Sequence, residues 1–324
     1  MRASRVVGFS LVVAFLVIFV LTVNYPSIDD LFVENPGWNG LSEMYGLFQP
    51  YRLDRLSDWA TYPVSAVNST LFIIGPSSGF VESDVIASRV YLEEGGRVVL
   101  MDDFGTGNQL LEGLGVGSRF DRLLLQDPLF YEDEYVFPVI MGVLGVDEVL
   151  LNYPTRVNNS GGSVVASSSP FSYLSEAGGS PGEDTSAASY PVVVRHSVGE
   201  GSLFIVSDSS VFINSMIGKR GNGLLLGALA RGDVLVDESH IIPSRLTRTK
   251  YLFRAIYGFF GQFEVRYVFL AVFGVVLFKL KWGTEPSYEE EDPVEAVLER
   301  HLGWDRALVA RIHEMREKEI GEDS

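Results

Sequence analysis

Residues 70–101 read TLFIIGPSSGFVESDVIASRVYLEEGGRVVLM, and their order decides the fold. Residues 70–75 (TLFIIG) are a short run of strand-forming apolar side chains closed by Pro76 and Gly79, the pattern of a buried strand. Residues 82–94 carry Val85, Ile86, Val90 and Leu92 as the apolar positions of a helix, and Gly95-Gly96 stop it. Residues 97–101 (RVVLM) form a second buried strand, and residues 108–114 a second short helix. Strand, helix, strand, helix in that order predicts an α/β domain with a parallel sheet and right-handed crossovers.

Outward from this unit the pattern pauses after about residue 118. Residues 128–134 form an acidic, aromatic loop, and residues 158–190, rich in Ser and Gly, predict a flexible insertion. The pattern resumes with a hairpin of residues 191–196 and 202–207 turning at Gly199-Glu200-Gly201. A helix over 222–231 and a last strand over 233–237 (DVLVD) complete the domain.

Two apolar segments flank it. Residues 6–23 (VVGFSLVVAFLVIFVLTV) contain no charge, and Arg2 and Arg5 precede them. They predict an uncleaved transmembrane anchor over 1–24 with the N-terminus in the cytoplasm; a cleaved signal peptide is the rival reading. Residues 265–282 predict a second transmembrane helix over 263–282, short in its uncharged centre and flanked by Lys279 and Lys281 on the cytoplasmic side. The expected arrangement is a two-pass protein of the cell membrane. Both termini would be cytoplasmic and the main domain, 25–262, would be outside. The acidic tail, 283–324, carries Asp292-Pro293 with Glu295, and Asp305, as starts of two helices, and is a candidate docking element.

Composition narrows the function. Apolar residues make up 47% of the 324, enough for a large core. A net charge of -17 opposes binding to nucleic acid and to anionic lipid surfaces. The absence of Cys removes disulfides, thiolate metal sites and cysteine nucleophiles.

Residues 35–48 (NPGWNGLSEMYGLF), 92–115 (LEEGGRVVLMDDFGTGNQLLEGLG), 199–215 (GEGSLFIVSDSSVFINS) and 233–240 (DVLVDESH), in that order, resemble the membrane family called domain of unknown function 4350. The resemblance implies a flavodoxin-like, class I glutamine amidotransferase-like parallel sheet between two transmembrane helices. It also implies protein partners around MoxR-type ATPases. No activity comes with it.

Gly75-Pro76-Ser77-Ser78-Gly79 matches G-x-S-x-G after a strand, but the helix starts too late for a nucleophile elbow. Gly105-Thr106-Gly107 opens a helix as a phosphate loop would, but lacks the third glycine and follows two aspartates. The stronger constellation is polar. Asp102, Asp103, Asp208, Asp237 and Glu238 fall at or just beyond strand C-terminal ends, where open parallel sheets bind ligands, and Asn108, Asn214 and His240 can join them. Such a set suits a sugar, a polyol or a hard divalent cation. Equally, Asp and Asn cap turns and helices at those same places. No catalytic residue is assigned and no other cofactor is expected. The reading is a non-catalytic membrane-anchored component that binds a ligand or a protein. The alternative is an extracytoplasmic hydrolase using the acidic cluster.

Overall fold

The structure is a computed structural model that describes residues 2–176, 186–282 and 292–322. Along the chain, α1 (Arg2–Asn24) and α2 (Ser42–Phe48) precede β1 (Tyr51–Leu53), β2 (Ser69–Ile74), α3 (Glu82–Glu93), β3 (Arg97–Met101) and α4 (Gly107–Gly113). Short strands follow: β4 (Arg119–Phe120), β5 (Leu124–Gln126), β6 (Tyr131–Glu132), β7 (Glu134–Val143), β8 (Val146–Leu150), β9 (Val157–Asn158), β10 (Ser163–Ser167) and β11 (Tyr173–Ser175). Then come β12 (Pro191–Val198), β13 (Gly201–Val206), α5 (Asn222–Leu229), β14 (Asp233–Asp237) and α6 (Arg245–Gly261). Last are α7 (Phe263–Trp282), α8 (Pro293–Arg300) and α9 (Arg306–Glu322).

The central sheet has the order β1-β14-β2-β3-β13-β12-β10. The first five strands run parallel, and β12 and β10 add antiparallel to the edge. Both faces are covered, which is why the inner strands are apolar throughout. Phe72, Ile74, Val99, Met101, Phe204, Val206, Val234 and Val236 face one core, under α5, α2 and the strands β7 and β8. Leu71, Ile73, Val98, Leu100, Leu203, Ile205 and Leu235 face the other, under α3, α4 and Trp59. Each such fully buried side chain contributes about 1.5–3 kcal/mol of transfer free energy.

Several expectations change. The acidic loop at 128–134 leads into an antiparallel β6-β7-β8 sheet. The segment 158–190 supplies β10, which extends the central sheet, and β11, which pairs with β5; its residues 177–185 lie outside the described residues.

The two flanking transmembrane helices require correction. Residues 2–24 and 263–282 are helical, but among the described residues no helix is long and apolar enough to cross a membrane. In α7, Glu264, Arg266, Lys279 and Lys281 confine the uncharged run to residues 267–278. As a helix that is about 18 Å, against about 30 Å of hydrocarbon. At the C-terminal end of α1, Phe19 lies 5.1 Å from Phe253 of α6 and Val23 is buried, while Leu16, Val17, Ile18, Val20 and Leu21 stay exposed. The fold is therefore a mixed α/β domain without the two expected spans. The two-pass membrane location, with both termini cytoplasmic and the domain outside, falls with them.

The chain divides into two compact units, Met1–Arg254 and Ala255–Ser324. In the second, Asp292 caps α8 by accepting the Val294 N–H at 3.1 Å, and Asp305 caps α9 through Ala307 N–H at 2.8 Å. Glu295 pairs with Arg306 at 2.8 Å rather than closing a capping box.

Candidate functional site

The parallel strands β14, β2, β3 and β13 end side by side, and their following loops bring the predicted polar residues to one edge. What each residue does there differs. Asp102, directly after β3, is 2% exposed. Its Oδ1 accepts the N–H groups of Asp103 and Gly105, both at 2.8 Å, and its Oδ2 accepts that of Gly107 at 2.7 Å. A Cβ at Gly105 would stand 2.2 Å from the Pro76 carbonyl oxygen and 2.6 Å from Asp102 Oδ1, so this approach requires glycine. The Gly105-Thr106-Gly107 turn thus cradles an internal carboxylate, and the N–H groups a phosphate would need are already engaged. Burial outweighs those bonds and pushes the Asp102 carboxyl up to about 6.

Asp208, after β13, is fully buried. It accepts Asn152 N–H and Ser210 N–H, each at 2.6 Å. Burial, then the nearby charge of Asp103, push it up to about 8. Asp103 is only partly covered. It accepts Phe104 N–H at 2.7 Å and the Ser209 hydroxyl at 3.0 Å, and burial raises its pKa.

After β14, His240 is held between two carboxylates. Its Nδ1 lies 2.7 Å from Asp237 Oδ2, its Nε2 lies 3.2 Å from Asp84 Oδ2, and its ring stacks on Phe80 at 4.0 Å. Burial alone would lower the imidazole pKa, but the hydrogen bond and charge of Asp237, followed by Asp84, reverse it to a net rise. The His240 carbonyl accepts the N–H groups of Ser77 and Ser78 at 2.7 and 3.0 Å, stitching the loop after β14 to the loop after β2. The Ser77 hydroxyl accepts Ile242 N–H at 2.9 Å and donates to the same His240 carbonyl at 3.3 Å. It meets no base.

Three predicted residues are structural. Glu238 accepts Val33 N–H at 2.9 Å and pairs with Arg52 at 2.5 Å. Arg52 in turn pairs with Glu34 at 2.8 Å, as does Lys250 at 3.0 Å. Burial raises Glu238 beyond what Arg52 offsets, whereas at Glu34 the three cations overcome burial and lower the carboxyl to about 2. Asn108 bridges the carbonyl and N–H of Phe120 at 2.9 and 2.8 Å. Asn214 donates to the carbonyls of Asn35 and Gly37 at 3.0 and 2.6 Å, and accepts Glu43 N–H at 2.9 Å.

What remains open is a cleft of about 830 Å³. It is lined by Asp102, Asp103, Ser77 and Ser209, and also by Asp29, Asp30, Ile241 and Ile242. Asp29 and Asp30 escaped the sequence reading because they fall in the linker after α1. The only sequence signal was the pairing of two acids just before an apolar turn. Among the described residues no group of three or more His, Asp or Glu converges to hold a metal ion. The donor set explains this, since the buried carboxylates already accept backbone N–H groups and Asp237 faces His240. A divalent cation does not fit them.

The family model described as Domain of unknown function (DUF4350) matches residues 33–230, more than half of the chain. No curated protein matches the sequence. Among solved structures, the mmIFT52 N-terminal domain is similar at 14% identity and a TM-score of 0.46, over 62% of this chain and 92% of that one. The exo-β-1,4-mannosidase Op5Man5 from Opitutaceae bacterium strain TAV5 is similar at 13% identity and a TM-score of 0.30, over 51% of this chain. A β-galactosidase from Bacillus circulans sp. alkalophilus is similar at 12% identity and 0.30, over 48%. The matches span 26% and 22% of those two enzymes.

Proposed function

We propose that this chain, which belongs to the family of the domain of unknown function DUF4350, is a non-catalytic module that binds a ligand or a protein in the cleft at the C-terminal edge of its parallel sheet. On this reading it is a degenerate amidotransferase-like domain. One observation carries the proposal. The buried acids accept backbone N–H groups, and the Ser77 hydroxyl is tied to the backbone at both of its bonds. In a cleft of this size Ser209 donates to Asp103 at 3.0 Å, but among the described residues no imidazole hydrogen-bonds to a hydroxyl that lines it, which suits holding rather than transforming. The resemblance in sequence makes a MoxR-type ATPase the first partner to try.

A hydrolase remains the second reading, because Asp102 and Asp103 both line the cleft and burial raises both. The two separate in one experiment. The full chain is tested for binding to a MoxR-type ATPase and to a small-molecule panel, beside an Ile242→Arg variant that crowds the cleft from an exposed position. Saturable binding lost in the variant is expected. Binding unchanged by the variant rejects the cleft. Turnover of an ester or glycoside that Asp103→Asn abolishes rejects the non-catalytic reading.

A further inference from the structure

Beside the cleft lies a second hollow of about 370 Å³, with Asp30, Leu31 and Ser209 shared between the two. Its other walls include Trp38, Asn152, Tyr153 and Ser210. Trp38 is 70% exposed and Tyr153 is 47% exposed. Such rings ordinarily contribute by burial, so two held open at one hollow call for a reason other than folding.

Both are held open by built structure. The Trp38 loop is organised by Asn35, itself 1% exposed. Asn35 accepts Gly37 N–H at 2.8 Å and donates to the Asp29 carbonyl and to Asn39 Oδ1 at 2.8 and 3.0 Å. Asn214 pins the same loop from the far side, and the Trp38 carbonyl accepts Ser215 N–H at 3.0 Å. Tyr153 has φ of +53°, a region that non-glycine residues rarely adopt. The buried Asp208 grips the adjoining Asn152 N–H, Tyr153 N–H donates to the Val136 carbonyl at 3.0 Å, and the ring packs edge-on to Phe137 at 5.4 Å.

We propose that this hollow is a pyranose-binding subsite and that the ligand running from it into the cleft is a neutral glycan. This rests on the binding reading above and names its ligand class. A pyranose has an apolar face of C–H groups, which the electron-rich face of an indole or phenol ring attracts, while its hydroxyls radiate from the ring edge. Those hydroxyls need groups that both donate and accept. The Asn152 carboxamide and the Ser210 hydroxyl provide them, as neither side chain has a partner among the described residues. Asp30 at the junction and Asp29 in the adjoining cleft, with the net charge of -17, repel an anionic sugar and favour a neutral one. A proline-rich peptide also uses paired aromatic rings, but it offers few hydroxyl partners to these polar groups.

The test is isothermal titration of the full chain with cellohexaose, mannohexaose and chitohexaose up to about 10 mM. The indole N–H signals are followed by NMR in parallel. Expected is saturable binding of at least one of the three, a shift of the Trp38 signal, and at least about tenfold weakening in Trp38→Ala and in Tyr153→Ala. Trp38→Phe, which keeps an aromatic face, recovers part of the loss. Three results overturn the proposal: no binding of any of the three sugars, binding indifferent to both alanine variants, or binding of a polyproline peptide in their place. Ile242→Arg separates this proposal from the cleft reading. Sugar binding that survives Ile242→Arg but not Trp38→Ala keeps the subsite and rejects the cleft. A protein partner lost in Ile242→Arg while no sugar binds keeps the cleft and rejects the glycan.

Discussion

Two loops at the same edge of the molecule use the same kinds of residue to opposite ends. In the loop at 102–107, a buried aspartate gathers three backbone N–H groups and turns inward, leaving little polar capacity for a ligand. In the loop at 35–40, a buried asparagine also organises a glycine-bearing turn, yet the product is an indole pushed into the open. A Cβ at Gly40 would stand 2.0 Å from the Asn35 carbonyl oxygen, so this turn is as tightly specified as the other. Polar residues at strand ends therefore do not by themselves make a site. The site is where internal hydrogen bonds are used to expose a group rather than to hide one.

The comparison is most easily broken at Asp102. Asp102→Ala would leave three N–H groups without their acceptor in a place water barely reaches. At about 1–3 kcal/mol for each orphaned group, partly relieved by relaxation, the expected loss of stability is about 4 kcal/mol in urea unfolding. A loss below about 1 kcal/mol would mean that the loop is held by something else and that the carboxylate is free for a ligand.

Asp208 gives the next effect, through pH. Its folded pKa of about 8 stands above its ordinary value of 3.8. Between the two, the folded protein binds more protons than the unfolded chain, so stability falls as pH rises through this window. Asp102, at about 6, and His240, also raised, act in the same sense. The lowered pKa of Glu34 acts oppositely and only at acid pH, where stability is lost as pH falls from 4.5 toward about 2. Between pH 6 and 8 the Asp208 contribution amounts to about 2 kcal/mol. Asp208→Asn should flatten the slope of unfolding free energy against pH in that range. An unchanged slope would show that Asp208 is ionised when folded.

How much of this the sequence discloses depends on what kind of information it carries. Residues 69–74, 97–101 and 201–206 are apolar on both faces and bounded by Gly or Pro, so the central strands are legible from composition alone. β7 is not. It begins with Glu134 and contains Pro138 and Gly142, which a strand tolerates only where pairing is irregular, and Pro138 does face Tyr131 across a register shift. The positions of Asp102, Asp208 and Asp237 at strand ends were also legible. Their direction was not, because it depends on how many N–H groups the following turn points back at them. Asn108 and Asn214 look alike in sequence to any ligand-binding asparagine, and only their five backbone partners reveal them as braces. The apolar run at 6–23 misled for the converse reason, since hydropathy counts side chains and is blind to a helix end that packs on its own domain. The run at 265–282 is simply too short between its charges.

Asn214 tests the outward-facing loop from behind. Asn214→Ala removes donors to the Asn35 and Gly37 carbonyls and the acceptor of Glu43 N–H. Stability should fall by about 1–2 kcal/mol, less than at Asp102 because water can reach part of the loop. Hydrogen exchange should quicken at Gly37 and Gly40, and sugar binding should weaken even though Asn214 does not line the hollow. Loss of stability with binding intact would detach Trp38 from the loop that carries it.

The smallest expected change in stability is at Trp38, and it discriminates best. With 70% of its surface in solvent, Trp38→Ala should shift unfolding free energy by no more than about 0.5 kcal/mol. Asp102→Ala removes a small side chain and costs the fold heavily. Trp38→Ala removes the largest side chain there is and should cost the fold almost nothing. If the indole is exposed for recognition, its removal falls on binding instead, and the two variants dissociate stability from function in opposite directions. A drop of about 2 kcal/mol or more at Trp38 would show that the ring is packed in solution. The contrast between the inward and the outward loop would then collapse, because both would serve only the fold.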